Sequence, residues 1–366
     1  MESFYVITVY SGNGKTKYLF NRIVKEAKAN PRGNYLVIVP EQFTMQTQRQ
    51  LVDLSENKAI MNIDVLSFKR LAYRVFDELG ITNLTVLEET GKNLVLRKLA
   101  AQEADKLGVI GRNLNRIGYI SEVKSLLSEL VQYNISPEEL GRYIASGRLS
   151  DTLSDKLKDV LVLYEAFEKF MQDKYITAEE ILNVLSNVAE ESAILRNSVI
   201  AFDEFTGFTP IQNQLIKKLF VISKKIYVTL TIDCREDIFK SRGMQELFDM
   251  PKRTVKSLTE MAAFYGIEVE EPIILDKNYR LAENEELSFM EQQLFRKRRC
   301  SFKKVPKHIH IDCLRDPKQE LTKIARRINE LVRNENLRYR DIAIVTGDVN
   351  IYAGYVREIF DKYNIP

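Results

Sequence analysis

The sequence predicts an α/β fold: a doubly wound parallel sheet, an all-helical insertion, and the start of a second α/β domain. Three observations predict it. Short apolar runs of the kind buried on both faces of a parallel sheet alternate with helical patterns near the start of the chain and again after about residue 196. Between about residues 84 and 195 the apolar residues recur mainly at helical spacing instead. A glycine-rich hexapeptide stands at the first strand-to-helix junction, the carboxyl end of a strand where such sheets bind ligands.

The first strand is the run Phe4-Tyr5-Val6-Ile7-Thr8-Val9, and the first helix spans Lys17 to Lys28. Between them, Ser11-Gly12-Asn13-Gly14-Lys15-Thr16 reads as a phosphate cradle. Glycines let the backbone curl until several N–H groups point at an anion, and the helix start adds the positive end of its dipole. Lys15 would supply a counter-charge and Thr16 a hydroxyl for Mg²⁺. The guest implied is a nucleoside triphosphate. Val9 stands where the full G-x-x-x-x-G-K-[ST] pattern has its first glycine. The alternative is a plain turn carrying a surface lysine.

The second strand covers Asn34 to Val39 and is stopped by Pro40; a helix from about Thr44 to Leu54 leads to a third short strand, Ile63 to Leu66. In the helical stretch, Ile117, Ile120, Val123, Leu127, Leu130 and Val131 form one stripe, and Leu157, Val160, Leu161, Tyr164, Phe167, Phe170 and Met171 another. Both read as packed core. Ser136-Pro137-Glu138-Glu139 is a helix start with cap and N1 proline in order. The sheet pattern returns at Val199-Ile200-Ala201-Phe202, ending in Asp203-Glu204, and at Lys225 to Ile232, ending in Asp233. Further on, strands are expected at His308 to Cys313 and at Ile342 to Val345, flanking an amphipathic helix from Lys318 to Arg333. Two strands are too few for a covered sheet, so the chain reads as a fragment of something longer.

A chain of 366 residues has room for about two or three domains. With 45% hydrophobic and 29% charged residues it is neither disordered nor fibrous. Lys plus Arg total 54 against 51 Asp plus Glu, a net charge of +3, so any nucleic-acid contact must come from a local groove. Met1-Glu2-Ser3 is not the basic start of a secretory signal, and no apolar run approaches the ~20 residues of a membrane span. A cytoplasmic location without membrane partners is expected. Cys234, Cys300 and Cys313 are widely spaced and suit reduced thiols.

Several constellations could carry chemistry. Asp203 and Glu204, at the end of a buried strand beside a phosphate loop, read as metal ligand and general base; an acidic strand end facing solvent is the alternative. Leu275-Asp276-Lys277-Asn278-Tyr279-Arg280 offers a guanidinium, Arg280, that could reach a γ-phosphate across a domain boundary. Leu66-Ser67-Phe68-Lys69-Arg70-Leu71-Ala72-Tyr73-Arg74 interleaves bases with aromatic rings, the combination that grips single-stranded DNA. It reads equally as an amphipathic helix with Leu71 and Val75 inward. Pro40-Glu41-Gln42-Phe43-Thr44 could add polar contacts to the same nucleic acid strand. His308 and His310 are the only histidines and are expected on the surface; no Ser-His-Asp set and no nuclease-like acid cluster is found.

Taken together, Gly12 to Thr16, Val39 to Thr44, Leu66 to Arg74 and Asp203 to Pro210 resemble the N-terminal part of the AddB (RexB) family. These are the B subunits of bacterial ATP-dependent helicase-nucleases that process broken DNA ends for recombination. The resemblance runs over essentially the whole chain. It implies a P-loop, superfamily-1 helicase-like core that guides single-stranded DNA and reads the Chi hotspot while an AddA partner translocates. The strand-reading positions it implies here are Gln42, Thr44, Phe68, Arg70 and Tyr73. It further implies ATP and Mg²⁺, with Thr16 and Asp203 as metal ligands and Asp203, Glu204 and Arg280 as the catalytic set. The family's nuclease domain and iron-sulfur cluster lie beyond this stretch, and the three cysteines are not assigned to that cluster. Two motor features are missing: an upstream adenine-reading glutamine, and the coupling glutamine for which Thr231-Ile232-Asp233-Cys234 has no counterpart. Nucleotide binding is therefore expected and hydrolysis left open.

The domain reading is 1–83 and 196–300 as one helicase-like domain (1A), 84–195 as its helical insertion (1B-like), and 301–366 as the start of a second helicase-like domain. The partners expected are an AddA-like subunit and single-stranded and double-stranded DNA ends. Two rivals remain: an autonomous DNA-stimulated ATPase and a non-catalytic interaction scaffold.

Overall fold

The computed structural model describes residues 3–9, 12, 14–82, 85–111, 117–147, 149–171, 175–233, 235–275, 277–294 and 300–366. Ser11 and Asn13 of the expected cradle, and Cys234, lie outside the described residues. The chain divides into two compact units, Met1–Glu283 and Asn284–Pro366.

In the first unit, β1 (Ser3–Val9), β2 (Tyr35–Ile38), β3 (Ile63–Leu66), β6 (Val199–Phe202), β7 (Lys225–Thr231) and β8 (Ile273–Leu275) form one sheet in the order β3-β2-β6-β7-β1-β8. Every pairing is parallel. Successive side chains of a strand point to opposite faces. Phe4 and Val6 accordingly enter one core with Leu36, Ile38, Ile200 and Phe202, while Ile7 enters the other with Val37, Val39 and Ala201. Such two-sided burial is why these strands are continuous apolar runs. Helix α1 (Lys15–Ala29) buries Leu19, Phe20, Ile23 and Ala27, and α2 (Thr44–Leu54) buries Leu51, both against the second of these cores. The short edge strand β8, beside β1, was not anticipated.

Helix α3 (Phe68–Leu79) starts at Ser67, whose hydroxyl accepts the Arg70 N–H at 3.3 Å, and stops at Gly80 in the left-handed conformation. Between residues 84 and 195 lie β4 (Val86–Leu87), α4 (Glu89–Gln102), α5 (Ile117–Gln132), α6 (Pro137–Ala145), α7 (Asp151–Met171), β5 (Ile176–Thr177) and α8 (Ile181–Val188). β4 and β5 pair in parallel. Leu96, Leu99, Ile120, Val123, Leu127, Val160, Leu163 and Phe167 give α4, α5 and α7 a core of their own. Buried Lys92 is bound by Glu89 at 2.9 Å and Glu179 at 2.7 Å, which compensates the cost of a cation out of water. Helix α6 is started by a Ser136/Glu139 capping box with Pro137 at its first position. Helices α9 (Pro210–Ile222) and α10 (Asp249–Phe264) complete the unit.

The second unit holds α11 (Glu285–Gln293), α12 (Pro317–Asn334) and α13 (Val349–Lys362), with Leu321, Ala325, Ile328, Ile359 and Ile365 as its core. The strands expected at 308–313 and 342–345 do not form. A strand exists only when a neighbour supplies ladder partners, and neither run has one here; Ile311 and Val345 lie open to solvent. His308 and His310 are exposed, as are the free thiols Cys300 and Cys313. Among the described residues no helix is long and apolar enough to cross a membrane.

Candidate nucleotide site

The loop after β1 is shaped by its glycines. Gly12 and Gly14 sit at φ of 88° and 81°, where a Cβ is penalised. At Gly12 a Cβ would also lie 2.8 Å from the Cβ of Arg280. The Gly12 carbonyl accepts the N–H groups of Tyr279 at 3.2 Å and Arg280 at 3.3 Å, so the segment after β8 closes on the loop. Gly14 is the N-cap of α1, whose first turn carries no acidic residue. The positive helix end is left for an anion.

Across from it, buried β6 delivers Asp203 and Glu204. Glu204 Oε1 accepts Lys15 Nζ at 2.9 Å and Thr16 Oγ1 at 3.0 Å. Its φ of 64° is unusual for a residue with a side chain and costs on the order of 1–3 kcal/mol. Asp203 is 0% exposed. Its Oδ1 accepts the Thr229 hydroxyl from β7 and lies 4.0 Å from Lys15 Nζ, while its Oδ2 has no hydrogen-bond partner among the described residues. Burial raises the Asp203 carboxyl above the ordinary range, against the pull of Lys15. Burial pushes Glu204 the same way, but the charge and hydrogen bond of Lys15, with Thr16 and Arg280, hold it below.

A cavity of about 510 Å³ opens here, lined among others by Lys15, Thr16, Glu204 and Arg280. Five of the residues expected at a nucleotide site, Gly12, Gly14, Lys15, Thr16 and Glu204, thus converge with Arg280, and Asp203 stands immediately behind them. Arg280 belongs to the same compact unit as Lys15 rather than reaching over a domain boundary. Thr229 was missed: a threonine inside an apolar strand carries no signal beyond β propensity. An orphaned, fully buried carboxylate oxygen behind a threonine hydroxyl suits a hard divalent cation or its water. Among the described residues no group of three or more His, Cys, Asp or Glu side chains could hold a metal.

The expected strand-reading set is divided. Gln42 is exposed and Tyr73 is 38% exposed, at the edge of Phe76. Arg70 is open to solvent and paired with Glu41 at 2.9 Å. Phe68 and Thr44 must be corrected. Phe68 is 7% exposed, its ring meeting Phe202, Phe205 and Phe208 at 5.8, 5.5 and 6.3 Å, so no base can stack on it. Thr44 is buried, its hydroxyl donating to the Glu41 carbonyl at 3.0 Å. The Glu41 carboxylate binds the Ser67 hydroxyl and Arg70, and these bonds hold it below the usual range.

The model of the family "ADDB, N-terminal" matches residues 6–291, a span that takes in the loop, Asp203, Glu204 and Arg280. The chain belongs to this family. The ADDB relatives include the B subunit of the ATP-dependent helicase/deoxyribonuclease of Lachnoclostridium phytofermentans, 37% identical over 97% of this chain and 31% of its own length. Those of Clostridioides difficile and Clostridium tetani, with the same name, are 33% and 32% identical over 97% of this chain and 31% of their lengths. The chain thus spans about a third of the ADDB relatives it matches.

Proposed function

We propose that this chain is the N-terminal, superfamily-1-like core of the B subunit of an ATP-dependent helicase-nuclease acting in repair of double-strand breaks by recombination, and that it binds ATP and guides single-stranded DNA. The observation that carries the reading is the meeting of Lys15, Thr16 and the Asp203-Glu204 pair at the start of α1, whose own first turn carries no acidic residue. In this reading the sheet is the 1A-like domain, 84–195 its 1B-like insertion, and 301–366 the start of a second helicase-like domain. An AddA-like subunit and DNA ends are the partners, and the cytoplasm the setting.

Thr16 Oγ1 and Asp203 would hold Mg²⁺, which would supply positive charge to offset that of a phosphate tail. Backbone amides of the curled loop and Lys15 receive the phosphate tail. Glu204 now occupies Lys15 and Thr16, so it must swing away when phosphate arrives, and only then can its carboxylate take a proton from water. Arg280, closed on Gly12, stands where its fork can meet phosphate charge. An autonomous DNA-stimulated ATPase would use the same residues; phosphate release by the isolated chain distinguishes it.

The test is a crystal structure with Mg²⁺ and a non-hydrolysable ATP analogue. Lys15 and Thr16 should face phosphate with Glu204 turned aside; Glu204 still on Lys15 and no nucleotide in the loop would contradict the reading. Glu204→Gln should bind ATP up to about fivefold tighter, because a solvent-accessible ion pair worth up to ~1 kcal/mol no longer competes. Fluorescence titration of a labelled ATP measures this.

For DNA, the exposed positions Gln42, Arg70 and Tyr73 carry the proposal, including hotspot reading. Arg70→Ala should weaken binding to a single-stranded oligonucleotide and lower its salt slope by about 0.7, the loss of one phosphate contact. Filter binding at several salt concentrations checks it; an unchanged slope removes Arg70 from the path.

A further inference from the structure

The cavity at the phosphate loop does not end there. It runs on to the last turn of α2, where Gln50, Asp53 and Leu54 line it opposite Lys17 and Phe20 of α1. Positions three and four apart share one face of a helix, so these three side chains form a single stripe. Nothing in the phosphate site uses them. A carboxylate such as Asp53 repels phosphate, and it has no place in a polyphosphate cradle. It does suit hydroxyl and amino donors, which a carboxylate accepts readily.

The state of the stripe fits that task. The Asp53 side chain is 79% exposed, with Lys58 Nζ 4.0 Å from Oδ1 and 2.6 Å from the Asp53 carbonyl. The Asp53 carboxylate is therefore solvent-accessible at the cavity lining. The cavity volume of about 510 Å³ is that of a small-molecule site, more than a phosphate tail alone needs. Leu54 is half-buried and adds apolar surface beside the two polar groups.

We propose that the α2 stripe holds the nucleoside end of the bound nucleotide, Asp53 accepting hydrogen bonds from the ribose hydroxyls and Gln50 meeting the base edge. This rests on the nucleotide reading above and adds what that reading leaves open, the selectivity of the site. A carboxylate on ribose hydroxyls is how other α/β nucleotide sites recognise the sugar. An amide that both donates and accepts can follow more than one base, so sugar discrimination should exceed base discrimination.

The experiment compares Mg²⁺ complexes of ATP, 2′-deoxy-ATP and inorganic tripolyphosphate on the wild-type chain, Asp53→Asn and Gln50→Ala, with thermal unfolding to confirm that each variant folds. Wild type should prefer ATP to 2′-deoxy-ATP by about tenfold. Asp53→Asn should lose about tenfold in ATP affinity and the sugar preference with it, and Gln50→Ala should weaken ATP; both should hold tripolyphosphate at least as tightly as wild type does. Equal ATP and tripolyphosphate affinities in wild type, or a sugar preference surviving in Asp53→Asn, would overturn the inference while leaving the phosphate loop standing. No binding of tripolyphosphate or ATP to wild type would overturn the loop itself and this inference with it.

Discussion

Phe68→Ala is expected to destabilise the first unit by about 3–5 kcal/mol, the usual cost of emptying a buried aromatic position. For a domain of this size that is a fall in melting temperature of roughly 6–20 °C. The ring sits among Phe202, Phe205 and Phe208, and Phe202 is the last residue of β6, directly before Asp203 and Glu204. A cavity there would loosen the strand end that presents the carboxylates, so nucleotide binding should weaken together with stability. Were Phe68 instead a stacking platform, its truncation would remove ~1–3 kcal/mol of single-strand affinity and leave the melting temperature alone. Calorimetric melting beside a DNA titration separates the two outcomes.

Lys15→Ala is expected to reduce ATP affinity roughly 10- to 150-fold, the equivalent of the ~1.5–3 kcal/mol of a hydrogen bond to a charged group. Its ammonium lies within reach of both strand-end carboxylates, 2.9 Å from Glu204 and 4.0 Å from Asp203. Removing it leaves Asp203 buried with less compensation, which raises that carboxyl further and favours its protonated form. Metal binding by Asp203 in the variant should then need a higher pH than in wild type, because the carboxyl must first lose its proton. Titrating Mg²⁺ and ATP against both proteins over a series of pH values would display the offset. An affinity equal to wild type would show that the ammonium does not touch the nucleotide.

Much of the sheet was legible because its strands are buried on both faces: Tyr35–Ile38 and Val199–Phe202 are wholly apolar or aromatic, and no helix period fits them. β8 was not, being three residues long and only partly covered. The runs at 308–313 and 342–345 have strand-like composition, yet composition cannot supply a ladder partner. In α3 the interleaved bases and rings allowed two readings, and burial chose one. Phe68, Leu71, Ala72, Val75 and Phe76 recur at helical spacing as its inward face, leaving Arg70 and Tyr73 outside. The glycine loop was legible because few other jobs need glycine, lysine and threonine at a strand-to-helix turn. The Thr229 bond to Asp203 and the Gln50-Asp53-Leu54 stripe were hidden, since each looks in sequence like an ordinary strand or solvent face.

Nucleotide binding turns on whether the curled loop and Lys15 grip a polyphosphate. Isothermal titration of the wild-type chain with ATP and Mg²⁺ measures this directly. One saturable site per chain, markedly weakened in Lys15→Ala, is the predicted result; the absence of any saturable heat from well-folded wild-type protein would contradict it.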